Sequence, residues 1–183
     1  MRKNSHKRFR QIEPYLVGRR LLDIGAAEGW VAEFAAKETG MEVQLLDVVD
    51  LNRTTLSLRL YDGRTIPHPD NYFDTFTALL TLYHCTDPGR VLAEASRVAR
   101  QRVIVTESVY HTRLGKRFLT FMDHTFNRVR SDESMPEGLH FKTTATWRRV
   151  FERNGLHLES EQWLSRCLHM NRLFVLSIPP DLG

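Results

Sequence analysis

The chain has 183 residues, 42% of them hydrophobic and 26% charged, which is typical of one folded domain and argues against wholesale disorder. Two cysteines are too few for a disulfide framework or a cysteine metal cage, so a reducing, cytoplasmic location is expected. The sequence has no apolar run long enough to span a bilayer and no apolar signal-peptide core, so neither anchoring nor export is expected.

The N-terminal segment is basic. Its first ten residues, MRKNSHKRFR, are dense in Lys and Arg and account for much of the formal net charge of +4. Such a run can attract an anionic partner such as RNA or an acidic membrane surface, but terminal charge runs are more often only solubilising. The simpler interpretation is a solvated or frayed basic helix over residues 1–18.

From residue 19 to residue 107, apolar runs alternate with helical patterns, as expected for parallel strands joined by crossovers. Only about ten residues separate the second strand from the third, so a loop or a single turn is expected there instead of a helix. The strands are predicted at 19–24, 42–48, 57–61, 73–82 and 102–107.

The two helices between these strands have recognisable ends. The first starts near Trp30 and stops at Gly40, because glycine readily adopts the left-handed conformation that closes a helix. The second has Asp87 as its N-cap and Pro88 in its first turn, where proline's missing N–H has no helical partner to lose. Both signals favour an α/β fold.

The alternation breaks after the fifth strand. Apolar residues at three- and four-residue spacing predict an inserted amphipathic helix from Leu114 to Arg130. A further helix holds Trp147 and ends before Gly155. Two consecutive strands at 156–164 and 168–178 complete the chain, and the short loop between them predicts antiparallel pairing.

The glycine turn after the first strand is the first motif with chemical content. Gly25 and Gly29 stand in LLDIGAAEG, and glycines between a strand and a helix let backbone N–H groups approach an anionic ligand. The dinucleotide fingerprint G-x-G-x-x-G would need glycine where this chain has Ala27 and Trp30. The bulk of Trp30 disfavours a bound pyrophosphate and therefore a nicotinamide oxidoreductase.

The same turn resembles motif I of class I S-adenosylmethionine-dependent methyltransferases, an acidic residue followed by x-G-x-G-x-G, with Ala27 at the middle glycine. The segment YDGRTIPHPDNYFD, residues 61–74, is similar to that family's D-G-x-x-L-P-F-P-D-x-S-F-D. The exit of the fourth strand, LTLYHCTDP, also resembles it. The chain is most similar to the small ubiquinone/menaquinone methyltransferase-like type of this domain. The resemblance is strong over residues 20–107, and in the C-terminal third only the general pattern of elements is similar.

The resemblance implies a fold. It is a single Rossmann-like α/β/α sandwich over residues 1–183, with a seven-stranded, mostly parallel sheet in the order 3-2-1-4-5-7-6 and the last strand antiparallel. The implied parts are a cofactor-binding half at 19–107, a substrate-lid insertion at 108–143, and a C-terminal helix and β-hairpin at 144–183.

The resemblance also implies a cofactor, S-adenosylmethionine, with S-adenosylhomocysteine as product. Asp23 would face the methionyl amino group, Asp47 would accept hydrogen bonds from the ribose hydroxyls, and Asp62 would accept one from the adenine amino group. No metal is expected. The other expected contacts are Gly25, Ala27, Gly29, Val48, Gly63, Leu80 and Thr81.

Candidate residues for binding the methyl acceptor or removing its proton are suggested by their positions in the sequence. His84 follows the fourth strand, and a histidine side chain can accept or donate a proton, so it is the first candidate general base, with Tyr83 as the second. A loop-packing role is the alternative interpretation of His84. Simple packing is also the plainer interpretation of the apolar stripe on the inserted helix. The candidate substrate contacts are Tyr110, His111, Phe118 and Met122.

The preferred hypothesis is methyl transfer to an O, C or N atom of a small-molecule acceptor. One alternative is an RNA or protein methyltransferase, suggested by the basic N-terminus and by Arg148, Arg149 and Arg153, although the N/D-P-P-Y/F motif of exocyclic-amine methyltransferases is missing. The other is a non-catalytic methyltransferase-like binding subunit. The sequence leaves the acceptor and the oligomeric state open.

Overall fold

A computed structural model describes residues 2–112, Arg117, 140–165 and 170–179. The α-helices in these ranges are α1 (Arg2–Ile12), α2 (Trp30–Thr39), α3 (Pro88–Val98) and α4 (Thr144–Arg153). Short 3₁₀ turns lie at Glu13–Tyr15 and Leu82–His84. The strands are β1 (Arg20–Ile24), β2 (Glu42–Asp47), β3 (Leu58–Leu60), β4 (Phe73–Leu79), β5 (Ala99–Ser108), β6 (His157–Ser165) and β7 (Asn171–Ser177).

The strands form one sheet in the order β3-β2-β1-β4-β5-β7-β6. Strands β1 to β5 pair in parallel, whereas β7 runs antiparallel to both of its neighbours. The predicted strand order and the antiparallel last strand are therefore confirmed. Because parallel strands end at the same edge of a sheet, the loops that follow β1, β2, β3, β4 and β5 meet there.

Helices cover both faces of this sheet. Successive side chains of a strand point to opposite faces, so Leu21 packs toward α2 while Leu22 belongs to the larger core under α3 and α4. That larger core includes Trp147 and Phe151, which are fully buried and stack on each other with ring centroids 5.8 Å apart. The result is the three-layer arrangement that the resemblance implies.

Helix α1 is docked on the protein and is not merely a solvated or frayed terminal helix. Phe9 is fully buried and packs with Leu21 of β1 and Ala35 of α2. One turn later, Ile12 is also buried and packs with Ile104 of β5. Two apolar anchors therefore fix the position of a helix whose remaining surface is basic.

The structure corrects some predicted boundaries. The fourth strand ends at Leu79 instead of residue 82, because Leu80 has a φ of +59° and turns the chain into the 3₁₀ turn. Residues 48–57, all of them described, contain no helix, which confirms the prediction of a loop before β3. The predicted helix from Leu114 to Arg130, including Phe118 and Met122, lies outside the described residues apart from Arg117.

Candidate functional site

The turn after β1 is tied to the two neighbouring strands. The Gly25 N–H donates to the carbonyl oxygen of Leu46 in β2, with the two atoms 2.8 Å apart. On the other side, the Thr81 hydroxyl donates to the Ile24 carbonyl oxygen over 3.2 Å. Gly25 has a φ of +60°, and a Cβ there would overlap the Thr81 side chain. Both observations require glycine at this position.

Two more residues of the turn have a left-handed backbone. Ala27 has a φ of +49° and Gly29 a φ of +77°. Ala27 therefore adopts a conformation that glycine takes without strain, which explains why glycine suits the middle position of the motif. The Ala27 N–H donates to Asp47 Oδ2 at 3.0 Å and so ties the turn to the end of β2.

Asp23 is a buried carboxylate one residue before the end of β1. Its Oδ1 accepts a hydrogen bond from the Thr77 hydroxyl of β4 at 2.6 Å. Burial raises the pKa of Asp23 to about 7, the Thr77 hydrogen bond opposes the rise, and the negative charge of Asp47 adds to it. A positively charged ligand group beside Asp23 would stabilise its ionised form.

Asp47 and Val48 form the exit of β2. Asp47 Oδ1 accepts from the Val48 N–H at 2.7 Å, and its Oδ2 accepts from Ala27. A carboxylate offers about four acceptor positions, so these bonds orient Asp47 and leave capacity for a ligand. The Val48 side chain is exposed and lies next to Gly63, which is in the loop after β3.

Asp62 shapes the loop after β3. Its Oδ1 accepts hydrogen bonds from the backbone N–H groups of Arg64, at 2.8 Å, and Thr65, at 2.9 Å. These bonds hold the pKa of Asp62 below its ordinary value, so that the side chain is ionised at neutral pH. The loop conformation thus places a carboxylate and Gly63 together at this edge of the sheet.

Glu107 is a site residue that the sequence reasoning missed. It is fully buried near the end of β5, and its Oε1 accepts a hydrogen bond from the Leu82 N–H at 2.8 Å, whereas its Oε2 has no hydrogen-bond partner among the described residues. Burial raises its pKa to about 8, although the backbone N–H groups of residues 81–83 and the charge of Lys142 oppose the rise. The sequence signal that could have identified Glu107 is an acidic residue at the end of the apolar strand segment VIVTE, residues 103–107.

The residues predicted to contact or activate the methyl acceptor lie in two places. Tyr83 is almost fully buried, stacks on Phe141 with ring centroids 4.8 Å apart, and belongs to a cluster with Leu80 and Tyr110. The His84 ring lies 4.0 Å from the Tyr83 ring. The remaining candidate with a described position, His111, is exposed and lies against Trp163 of β6, with ring centroids 5.5 Å apart.

Two further findings concern ligands and membranes. Within the described ranges, no group of three or more His, Cys, Asp or Glu side chains is arranged to hold a metal ion. Likewise, no helix in the part of the chain that the structure describes is long and apolar enough to cross a membrane.

Residues 22–106 match the family model for the methyltransferase domain. The chain is similar to the ubiquinone/menaquinone biosynthesis C-methyltransferase UbiE of Cupriavidus metallidurans, with 34% identity over 105 residues. This alignment covers 49% of the chain and 43% of the relative, so the match spans less than half of that protein's length.

Solved structures share the fold at low identity. A geranyl diphosphate C-methyltransferase from Streptomyces coelicolor, crystallised with Mg²⁺, geranyl diphosphate and S-adenosylhomocysteine, aligns with a TM-score of 0.74 and 10% identity, covering 95% of this chain and 77% of that one. A structure of the Haloferax volcanii Trm112 methyltransferase activator with a methyltransferase aligns with a TM-score of 0.71 and 16% identity, covering 98% and 94%.

These findings agree with the motifs and the fold. The matched segment starts in β1 and ends in β5, so it contains the exits of β1, β2, β3 and β4, whereas Glu107 lies just beyond it. The structural neighbours have the same fold over nearly the whole chain. Residues 22–106 of this chain thus match the methyltransferase domain in sequence, and the chain shares the fold of the methyltransferase neighbours.

Proposed function

We propose that this chain is an S-adenosylmethionine-dependent methyltransferase that methylates an O, C or N atom of a small molecule. The observation that carries the proposal is the convergence of three carboxylates, Asp23, Asp47 and Asp62, at the ends of adjacent strands beside the left-handed turn. Each is held by a hydrogen bond from a hydroxyl or backbone N–H group of the protein. A cytoplasmic location, suited to the low cysteine content, is part of the proposal.

The donor groups of the cofactor fit this set of acceptors. S-adenosylmethionine presents an ammonium group, two ribose hydroxyls and an adenine amino group, all of which donate hydrogen bonds. Asp23 would hold the ammonium group, Asp47 the hydroxyls and Asp62 the amino group. The turn and the neighbouring exits would complete the site through Gly25, Ala27, Gly29, Val48, Gly63, Leu80 and Thr81.

The bound cofactor would supply a methyl group carried on a positively charged sulfur. The protein's own contribution would be to orient the acceptor and to exclude water, and good positioning is worth about 7 to 11 kcal/mol. An acceptor that must lose a proton needs a base, and His84 is the first candidate at the exit of β4. Tyr83, buried against Phe141, would mainly form a wall beside it.

The relatives favour carbon as the acceptor atom. The matched relative is named as a C-methyltransferase of ubiquinone and menaquinone biosynthesis, and a structural neighbour is a C-methyltransferase that holds geranyl diphosphate. We therefore place a carbon acceptor on a small molecule first, with oxygen and nitrogen acceptors next. A nucleic-acid acceptor comes after these, and a salt-sensitive affinity for RNA together with methylation of that RNA would overturn this order.

Calorimetry with S-adenosylmethionine tests the proposal. The wild-type protein is expected to bind the cofactor, and Asp47→Asn should weaken binding by about tenfold or more, because it removes one charged acceptor. Asp70→Asn is a matched control, since Asp70 is an exposed acid that pairs with Arg97 away from the strand exits. Absence of binding to the wild-type protein would overturn the proposal.

Methyl transfer itself separates an enzyme from a binding subunit. A panel of small molecules incubated with the labelled cofactor should contain at least one that gains the label. Cofactor binding without labelling of any cellular small molecule would instead support the non-catalytic alternative.

A further inference from the structure

A cleft of about 200 Å³ lies between α1, the carboxyl ends of β4, β5 and β6, and the amino end of the antiparallel strand β7. Its helix side is formed by Asn4, Lys7, Arg8 and Gln11. These residues are separated by three, four and seven positions, which places them on one face of the helix. The site residues described above do not explain why this face of α1 is polar and basic.

The basic face has a fixed position. Phe9 and Ile12 are fully buried on the sides of α1 that contact α2 and the sheet, so Lys7, Arg8 and Gln11 belong to a docked helix. The acids next to other parts of this helix are paired with its other arginines: Glu33 with Arg2, and Glu13 and Glu38 with Arg10. The charge of the cleft is thus set by the fold and does not depend on a loosely attached terminus.

The chemistry of the cleft suits an anion. Lys7 and Arg8 supply two positive charges, Asn4 and Gln11 supply amide donors, and the described residues that line the cleft include no acid. Lysine offers a compact charge and arginine a planar fork, and both are the usual partners of phosphate and carboxylate groups.

The cleft lies beside the cofactor site. Leu80 forms part of its wall and directly precedes Thr81, whose side chain contacts the Gly25 turn. The Leu80 N–H donates to the carbonyl oxygen of Thr106, another wall residue, over 2.8 Å. A volume of about 200 Å³ is below the roughly 300 to 1,000 Å³ of a complete small-molecule site, so the cleft suits one end of a ligand.

We propose that this cleft binds an anionic end, a phosphate or a carboxylate, of the methyl acceptor. The inference rests on the proposed function, because it is the neighbouring cofactor site that makes the occupant of the cleft an acceptor. The anchored group would hold the acceptor by charge at α1, while its reacting end extends past Leu80 toward the exit of β4.

Calorimetry at low salt with two probes, inorganic pyrophosphate and malonate, tests the cleft without knowledge of the acceptor. The wild-type protein should bind at least one probe, and the double variant Lys7→Gln/Arg8→Gln should bind it about tenfold or more weakly, since it removes both charged donors of the cleft. The probe that binds the wild-type protein more tightly identifies the anion as phosphate-like or carboxylate-like.

The matched control is Arg149→Gln/Arg153→Gln, which removes the same net charge from exposed residues of α4 that do not line the cleft. Its probe affinity should stay within about twofold of wild type, because only screened, distant charges are lost. Equal losses in the two double variants, or absence of binding to the wild-type protein, would overturn the proposal.

Cofactor binding is measured on the same proteins. Unchanged affinity for S-adenosylmethionine in Lys7→Gln/Arg8→Gln supports an acceptor anchor, whereas a loss of about tenfold would show that these cations hold the cofactor's carboxylate instead and would overturn the proposal. If the wild-type protein binds the probe but not S-adenosylmethionine, the anion site stands and the proposed methyltransferase function fails.

Discussion

Asp23 combines burial with a position where a cationic cofactor group is expected. Because burial raises its pKa to about 7, the side chain is partly protonated at neutral pH, and an ammonium group beside it would favour the ionised form. Cofactor affinity should therefore fall as the pH is lowered from about 7.5 to 5.5, a range in which the cofactor's own amino group stays mostly protonated.

The expected slope approaches about tenfold per pH unit below the pKa, since one proton must leave before binding. Calorimetry across this range measures it. Asp23→Asn should bind more weakly and show a much flatter profile. A wild-type affinity that does not change with pH would contradict this coupling.

Gly25 and Gly40 provide a matched pair of left-handed glycines. Both have a positive φ, but a Cβ at Gly25 would overlap Thr81, whereas a Cβ at Gly40 would meet no atom within 4 Å. Gly40→Ala should cost about 1 to 2 kcal/mol of unfolding free energy from backbone strain alone. Gly25→Ala should cost more and lower cofactor affinity by about tenfold or more, because the turn must move. Equal effects of the two variants on cofactor binding would contradict this.

Glu107 is expected to make stability depend on pH. Its folded-state pKa is raised to about 8, so its contribution is fully present below the ordinary glutamate pKa and is lost as the pH rises through 8. Glu107→Gln cannot ionise, so its unfolding free energy should fall less than that of wild type between about pH 6.5 and 9. Urea unfolding measures both profiles, and parallel profiles would contradict the assignment.

Glu107→Ala separates charge from hydrogen bonding. It leaves the Leu82 N–H without its carboxylate acceptor, and a buried unsatisfied donor costs about 1 to 3 kcal/mol. The Ala variant should therefore be less stable than the Gln variant at every pH, because Gln retains a carbonyl acceptor.

The site residues differ in how far the sequence reveals them. Gly25 and Asp47 stand in local motifs, where a strand is followed at once by a turn or an acid, so their proximity could be predicted. Glu107 could not be predicted in the same way, because its partner Leu82 is 25 residues away and donates through its backbone N–H. A contact with backbone N–H groups leaves no side-chain pattern in the partner segment.

At the level of elements, periodicity predicts where strands and helices exist better than where they end. Helix α3 begins at Pro88 after the N-cap Asp87, as predicted, because both signals are local. Strand β4 ends earlier than predicted because the apolar run continues through Leu82, while the break at Leu80 is stabilised by a bond to Thr106 of β5. Apolar pattern alone does not contain that tertiary contact.

Helix α1 should depend on its apolar anchors. Phe9→Ala is expected to cost about 3 to 5 kcal/mol of unfolding free energy, because it removes a fully buried aromatic side chain and leaves a cavity against α2. Leu51→Ala is the control, since Leu51 is exposed and its loss should change stability by about 0.5 kcal/mol or less. Urea unfolding compares the two. Similar small costs would show that α1 contributes little to folding.

At the scale of the whole molecule, local patterns predict an α/β class but not which strands are neighbours. The order β3-β2-β1-β4-β5-β7-β6 was accessible only through the family resemblance, because pairing between β1 and β4 joins segments about 50 residues apart. That pairing brings the Gly25 turn into contact with Thr81. It also places Leu80 in the wall of the cleft beside α1. The candidate cofactor site and the anion cleft are therefore products of one topological feature.

Because ligand binding to the folded state stabilises the whole domain, cofactor binding should be visible in thermal unfolding. At a cofactor concentration of about 100 times Kd, stabilisation is about 2.7 kcal/mol, which corresponds to a rise in Tm of about 5 to 11 °C for a chain of this size. At the same concentration, Asp47→Asn with a Kd about tenfold weaker should gain only about 1.4 kcal/mol, roughly half the shift. Asp70→Asn should keep the full shift, and equal shifts for wild type and Asp47→Asn would remove Asp47 from the cofactor site.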